Sequence, residues 1–506
     1  MVYMVYFPKP SSANHQEMGE QGMEMSERLQ ALAREKAAIL QGDAERIAKQ
    51  HAGGKCTARE RVAKLFDAGS FVETDALRRE GNVLAGCGTV NGQPVYCFAQ
   101  DFTSAGGAMT RDQAAKILKV LRMARVTGAP VVALMDSEGV KLSEGMEALP
   151  AYAEIMSALA RLSGVCPLIS CVMGPCRGLA AMLTQLADFN IEVKKNGAIA
   201  LHTAQVMNSD KGRIKTEQQL FGAEAMDQQG AVALTAETEE DASALIASLI
   251  DLLPACNMED APLAEADDLN RLLTAEDPEA VTALMQDLAD GGQVIELYRG
   301  YGTAIRTALC RIGGRTVGLV ANDPGVNEGR LASQESRKAA RFVRLCDCYQ
   351  IPVVSLVNTD GMAVPLAAHQ GALLRGAADL IYAYAEATAP KIAVITGDAV
   401  GAAYVAMGGK SIADISYAWP TAMISPLTRE AAVQTLAGDQ LNAGASREEL
   451  EENYAASCGA LAAARAGIVD DVIEPRETRK YIIAALELLA AKHDVNLPKK
   501  HGNLPL

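Results

Sequence analysis

The chain has 506 residues, too many for one hydrophobic core, so two or more domains are expected. It is 49% hydrophobic and only 4% aromatic, with a formal net charge of −15. That fits a soluble globular protein and argues against a surface made for nucleic acid or anionic lipid.

Residues 1–24 read as a disordered N-terminal extension. Up to Gln21, Lys9 is the only Lys or Arg and there is no continuous apolar run, so no signal peptide is expected; Met18, Met23 and Met25 are alternative starts. Residues 25–50 carry helical spacing, with Leu29, Leu32, Ala33 and Leu40 on one apolar face. Thr57 caps a second helix that opens Ala58-Arg59-Glu60-Arg61. Residues 86–90 and 94–101, joined by Asn91-Gly92, predict a hairpin. A helix over 113–128, a strand over 130–136, a helix over 149–164, a strand over 165–173 and a helix over 178–186 follow. Alternation of this length points to crossover units on a mostly parallel sheet. From Pro254 to about Gly292, Asp, Glu, Ala and Pro dominate, which predicts a linker with short helices. Helices over 462–465 and 481–491 have apolar faces suited to packing or subunit contacts, and no apolar run is long enough to span a membrane. The 11 cysteines are scattered and form no C-x-x-C, which argues against a zinc ribbon or a disulfide framework and suits a reducing cytoplasm.

After the linker the first half recurs. Pro130-Val131-Val132-Ala133-Leu134-Met135-Asp136-Ser137-Glu138-Gly139 matches Pro352-Val353-Val354-Ser355-Leu356-Val357-Asn358-Thr359-Asp360-Gly361, and Met173-Gly174 through Gly178-Leu179-Ala180 matches Thr396-Gly397 through Gly401-Ala402-Ala403. Gly139 to Gly361 is an offset of 222 residues and Gly178 to Gly401 one of 223, so the repeat is a duplicated domain. Each copy carries an apolar strand, a glycine turn and a helix of small residues. Glycine lets backbone N–H groups approach a ligand, and a helix N-terminus favours negative charge, so each unit can form an oxyanion hole. Two such holes suit the transfer of a carboxyl group between two enolate-like partners. No side-chain base is needed if one partner's own oxyanion or nitrogen takes the proton. This agrees with the absence of H-E-x-x-H, G-x-S-x-G and P-loop patterns.

Four stretches carry a family resemblance: Met173-Gly174-Pro175-Cys176; Tyr384-Ala385-Glu386-Ala387-Thr388 with Pro390-Lys391; Tyr417-Ala418-Trp419-Pro420-Thr421-Ala422; and His501-Gly502-Asn503-Leu504-Pro505-Leu506. The chain resembles the carboxyltransferase subunits of biotin-dependent acyl-CoA carboxylases and of sodium-pumping acyl-CoA decarboxylases, the propionyl-CoA carboxylase beta and methylmalonyl-CoA decarboxylase alpha type, as a divergent member. The resemblance implies an α/β fold of two tandem crotonase-like (ClpP/crotonase) domains, each a β-β-α spiral. It divides the chain into residues 25–253 on the acyl-CoA side, an acidic linker over 254–294, and residues 295–506 on the biotin side. It implies carboxyl transfer between carboxybiotin and a short acyl-CoA, propionyl- or methylmalonyl-CoA best, in either direction. Implied partners are a separate biotin carrier protein and biotin carboxylase or membrane decarboxylase subunits, with no nucleic acid. Subunits would assemble as a homo-oligomer, from a dimer to a hexamer ring, in the cytoplasm or at the periphery of a membrane complex. No Met-Lys-Met biotin attachment motif and no ATP-grasp region is present, so the carrier and the carboxybiotin would come from elsewhere.

Carried over by position, Gly178 and Leu179 hold the first oxyanion hole, Ala402 and Ala403 the second, and Val405 lines the acyl pocket. Gly139, Lys141, Arg177, Asp360 and Gly361 are candidate substrate contacts, and no metal is implied. Arg177 is either a contact for a CoA phosphate or carboxylate or a solvated turn arginine; Lys141 is a phosphate contact or a surface lysine. His202 and His369 read as structural or rim residues, without metal-ligand spacing. The family's first hole has Gly-Gly where this chain has Gly178-Leu179. Its Val-Pro-Gly-Phe-Leu-Pro-Gly stretch is replaced by Asn358-Thr359-Asp360-Gly361-Met362-Ala363-Val364-Pro365, and its Gln-Glu by Ala368-His369. Two competing readings are a non-catalytic assembly paralogue, prompted by those changes, and a crotonase-type hydratase or isomerase, which would want carboxylates beside a single hole.

Overall fold

Strands rich in Val, Ile and Ala with little alternation must bury both faces, which a parallel sheet under helices provides. The computed structural model of the chain, which describes residues 25–78, 83–208 and 215–503, contains two such sheets of eight strands each. The first is built from β1 (Val72–Glu73), β2 (Val83–Val90), β3 (Gln93–Gln100), β4 (Val131–Ser137), β5 (Leu168–Arg177), β6 (Phe189–Val193), β7 (Ala198–Ala200) and β8 (Leu234–Ala236). Its order is β1-β2-β3-β4-β5-β6-β8, with β7 pairing the far end of β5. The second is built from β9 (Val294–Leu297), β10 (Ile305–Ile312), β11 (Arg315–Asn322), β12 (Val353–Thr359), β13 (Lys391–Val400), β14 (Ile415–Ala418), β15 (Met423–Ser425) and β16 (Asp471–Val472). It repeats that plan as β16-β14-β13-β12-β11-β10-β9, with β15 on β13. In each sheet an antiparallel hairpin (β2–β3, β10–β11) leads into parallel strands. The two copies correspond strand for strand, as the sequence repeat predicts, and both are crotonase-like in plan.

Two local expectations change. Residues 25–50 form two helices, Met25–Gln41 and Ala44–Ala52, because Gly42 sits at φ 60° and the Asp43 side chain accepts the amides of Glu45 and Arg46. Met25–Gln41 buries none of its residues, so its expected apolar face is exposed. The strand expected to stop at Met173 runs on through Gly174 and Pro175 to Arg177. It does so by bulging: Met135 pairs with Val172, but Ser137 pairs with Cys176. The same shift recurs where Val357 pairs with Ile395 and Thr359 with Ala399.

The acidic segment after Pro254 is packed, not slack. Leu273, Val281, Leu284, Met285 and Leu288 enter the core on one face of the second sheet, the last four from the helix Val281–Leu288. Trp419 fills the same core, its indole N–H donating to Thr478 Oγ1 at 2.8 Å. The predicted extension over 1–24 and the final residues 504–506 lie outside the described residues. Among the described residues, no helix is long and apolar enough to cross a membrane.

One apolar cluster crosses the boundary between the copies, joining Ile169, Phe189, Ile246 and Leu249 to Leu297, Val320, Phe342 and Tyr349. Polar contacts pin it: Tyr349 Oη donates to Asp188 at 2.8 Å, Arg341 to Ala187 O at 3.0 Å, and Tyr298 N to Ala233 O at 2.8 Å. Ala187, Asp188 and Ala233 all lie just before a parallel strand of the first sheet. The second copy therefore abuts the N-terminal strand ends of the first.

Candidate active site

In each copy, β5 or β13 runs straight into a glycine held in a backbone conformation that other residues rarely adopt. Gly178 has φ 58° and ψ −127°, and Gly401 has φ 56°. A Cβ at Gly178 would meet open space, so a ligand can come close to the backbone there. The Gly178 amide itself is engaged, donating to Ala200 O at 2.8 Å on β7. The next amides, of Leu179 and Ala180, head the helix Leu179–Gln185, and no acceptor among the described residues takes them. In the second copy, Ala402 and Ala403 follow Gly401 in the helix Gly401–Gly408, again with no acceptor for their amides among the described residues. Leu179 is absent from the residues with positive φ, and its side chain packs on the first-sheet core. Its backbone is therefore ordinary helix, and the missing second glycine costs no strain.

The loop after the preceding strand closes each turn from the side. Gly139 (φ 97°) and Gly361 (φ 99°) donate to Ser137 Oγ and Thr359 Oγ1, both at 3.0 Å. Those hydroxyls donate in turn to Gly107 O at 2.7 Å and Gly329 O at 2.6 Å. A Cβ at Gly139 would stand 2.7 Å from Arg177 O, and one at Gly361 3.2 Å from Val400 O, so these glycines let the loop lie against the turn. Gly139 and Gly361 thus support the turns through their own backbones.

Two of the charged candidates, Arg177 and Asp360, are held in ion pairs. Arg177 pairs with Glu138 and, through Nη2 at 2.7 Å, with Glu217. Asp360 pairs with Arg330 at 3.1 Å, and Arg330 with Glu328 at 2.6 Å. Burial, with Asp398 nearby, raises the Asp360 carboxyl above its usual range while Arg330 opposes the shift. Lys141 is half-buried on the loop beyond Gly139, its amide donating to Met109 O at 3.3 Å. Val405 lies one turn into its helix and is 45% exposed. His202 and His369 are exposed. Among the described residues, no cluster of His, Cys, Asp or Glu could hold a metal ion.

A buried cluster behind the first turn escaped the sequence reading. Asp136, wholly buried, accepts Arg61 Nη1 at 2.9 Å, Lys55 Nζ at 2.9 Å and Gln50 Nε2 at 3.2 Å. Arg61, itself buried, gives Nη2 to Glu239 Oε1 at 2.7 Å and to Met173 O at 3.2 Å. Asp136 lies in the bulge, where a methyl at Gly174 would overlap its carboxylate. A carboxylate ending an apolar strand was the available signal, since it demands buried partners. Its partners are 75, 81 and 86 residues away, so no spacing names them.

Residues 49–504 match the carboxyl transferase domain. The methylmalonyl-CoA decarboxylase subunit alpha of Veillonella parvula is 39% identical over 95% of this chain and 99% of its own length. The mitochondrial propionyl-CoA carboxylase beta chain of Homo sapiens is 36% identical over 96% of this chain and 94% of its own. A hexameric transcarboxylase 12S crystal structure with methylmalonyl-coenzyme A and methylmalonic acid bound superposes with a TM-score of 0.92, at 35% identity over 96% of this chain and 99% of that one.

Proposed function

The chain belongs to the carboxyl transferase family, and from that premise we propose that it transfers a carboxyl group between carboxybiotin on a separate carrier polypeptide and propionyl- or methylmalonyl-CoA. The observation that carries this reading is the pair of equivalent turns, each presenting uncommitted amides beside a glycine at φ near 57°. In the first copy, the Leu179 and Ala180 amides would receive the thioester oxygen as it gains charge. In the second, the Ala402 and Ala403 amides would hold the biotin ureido oxygen; that donor set, two backbone N–H groups with no competing acceptor, fits the group. Carboxybiotin supplies the activated carboxyl when bound. Gly178 and Gly401 hold each turn open, and Val405 would line the acyl pocket. Arg177, already tied to Glu138 and Glu217, and Lys141 would edge the acyl-CoA side, and Asp360 and Gly361 the biotin side.

The reaction needs both turns together, yet the first turn lies at the end of β5 opposite its junction with the second copy. Ten residues of strand span about 30 Å, so we infer that the facing turn comes from another subunit of a homo-oligomer. Carboxylase or membrane decarboxylase subunits would complete the assembly, with the chain at the cytoplasmic side of any membrane complex. Leu179, in ordinary helical backbone and packed inward, favours an active enzyme over an assembly paralogue. The test incubates the pure protein with free biotin and methylmalonyl-CoA. Biotin-dependent loss of the carboxyl group is expected; no turnover with any carboxyacyl-CoA by an intact oligomer would overturn the reading, and water addition to an enoyl-CoA without biotin would replace it.

A further inference from the structure

We propose that Arg61 and Asp136 are positioning residues for the first turn: the segment 50–61, outside the sheet, clamps the β5 bulge that aims the Leu179 amide. The inference rests on the carboxyl-transfer reading. Both copies have the same problem. Between the paired positions one residue of the shorter strand, Asp136 or Asn358, stands against three of the bulged one, and the slack backbone leads straight into the turn.

The copies solve it differently. In the second, the buried side of the bulge is held by neutral side chains, Asn358 and Thr421, whose Oγ1 donates to Thr396 O at 2.8 Å, while Arg429 pairs with Asp398 at the more exposed edge. Asn358 Oδ1 accepts the Asp398 amide at 3.1 Å and its Nδ2 donates to Pro278 O at 3.1 Å. In the first, the residue matching Asp398 is Pro175, which has no N–H to give. A carboxylate stands at 136 instead, and its donors arrive from elsewhere in the chain: Arg61, Lys55 and Gln50. Arg61 also grips the bulge directly through Met173 O, and Glu239 takes the rest of its guanidinium. Cations Arg61 and Lys55 balance anions Asp136 and Glu239. A buried ion set is weak evidence for stability, because neutral packing often does as well. Here the chain's own second copy shows the neutral alternative. What the ion set adds is fixed geometry five residues before Gly178.

The test compares kinetics and hydrogen exchange on the full-length oligomer. The neutral variant Lys55→Met/Arg61→Met/Asp136→Asn/Glu239→Gln removes all four charges together. With oligomer size unchanged, kcat for biotin-dependent decarboxylation should fall about 100-fold, while KM for methylmalonyl-CoA stays within about twofold. Adding Pro175→Ala supplies the missing N–H to Asn at 136 and should recover kcat at least ~10-fold. Wild-type kcat in the neutral variant, a rise in KM that accounts for the loss, or no recovery on adding Pro175→Ala would overturn the proposal. If the neutral variant does not fold, exchange in the wild type decides. The Gly178 amide should exchange as slowly as that of Ile169 in the strand; exchange faster by about 1,000-fold would mean the turn is not held. Wild-type protein that transfers no carboxyl group would sink the functional reading instead, and the exchange measurement would still stand.

Discussion

Gly178→Pro and Gly401→Pro are expected to be inactive alone and to rescue each other when mixed. Proline fixes φ near −65°, against 58° at Gly178 and 56° at Gly401, so each substitution destroys its own turn. At position 178 it also removes the N–H that donates to Ala200 O. A reacting group misplaced by ~1 Å costs about 100-fold, so each pure variant should keep no more than roughly 1% of kcat. The geometry then sets the mixture. If every site takes its first turn from one subunit and its second from another, subunits mixed one to one pair at random. The first turn is sound in half the sites and the second, independently, in half, so about a quarter of wild-type activity should return. The two variants are co-expressed, the oligomer size is checked, and biotin-dependent loss of the methylmalonyl-CoA carboxyl group is measured. If the mixture is no more active than its components, both turns of a site lie on one chain and the placement of the first turn at the far end of β5 has been misread.

Leu179→Gly should leave kcat within about threefold, since the amide remains, and lower stability by roughly 2–3 kcal/mol, from the leucine lost against the first-sheet core together with glycine in a helix; a large gain in activity would show the leucine side chain obstructing the site. Glu192, buried on β6 with neither carboxyl oxygen partnered among the described residues, is pushed up to about 9 by burial. The folded chain therefore holds an extra proton from the ordinary glutamate range up to about 9, and stability falls as pH rises through that window, by up to roughly 1.4 kcal/mol per pH unit. Glu192→Gln removes this slope, so its melting temperature relative to wild type should climb between about pH 5 and pH 9; a constant difference would contradict the burial argument. Thr359→Val leaves Gly329 O and the Gly361 amide without the hydroxyl, and urea unfolding should show a loss of about 2 kcal/mol.

Much of this was legible in the sequence because duplication prints each element twice. The Asn91-Gly92 hairpin, the Thr57 cap and the strand–glycine–helix units all rest on local chemistry, and all are found. The misses share a cause. Gly174-Pro175 reads as a break, yet pairing with β4 and β7 carries the strand through it. Gly42 stopped a helix whose periodicity ran on, because φ 60° outweighed the pattern. Arg61 and Glu239 meet 178 residues apart, at a place only the folded sheet defines. Arg177 faces carboxylates at positions 138 and 217, so its ion pairs were equally invisible.

The apolar cluster that joins Phe189 and Ile246 to Phe342 and Tyr349 has a thermodynamic consequence. Half of a duplicated chain is often able to fold alone, but here each copy completes the other's interior. A calorimetric scan should show one cooperative transition for the two copies together, and a chain cut near residue 254 should expose the shared face and associate or aggregate. Lesions far from either turn, such as Phe342→Ala, would then lower the working population of both half-reactions at once, without touching a single amide that meets a substrate.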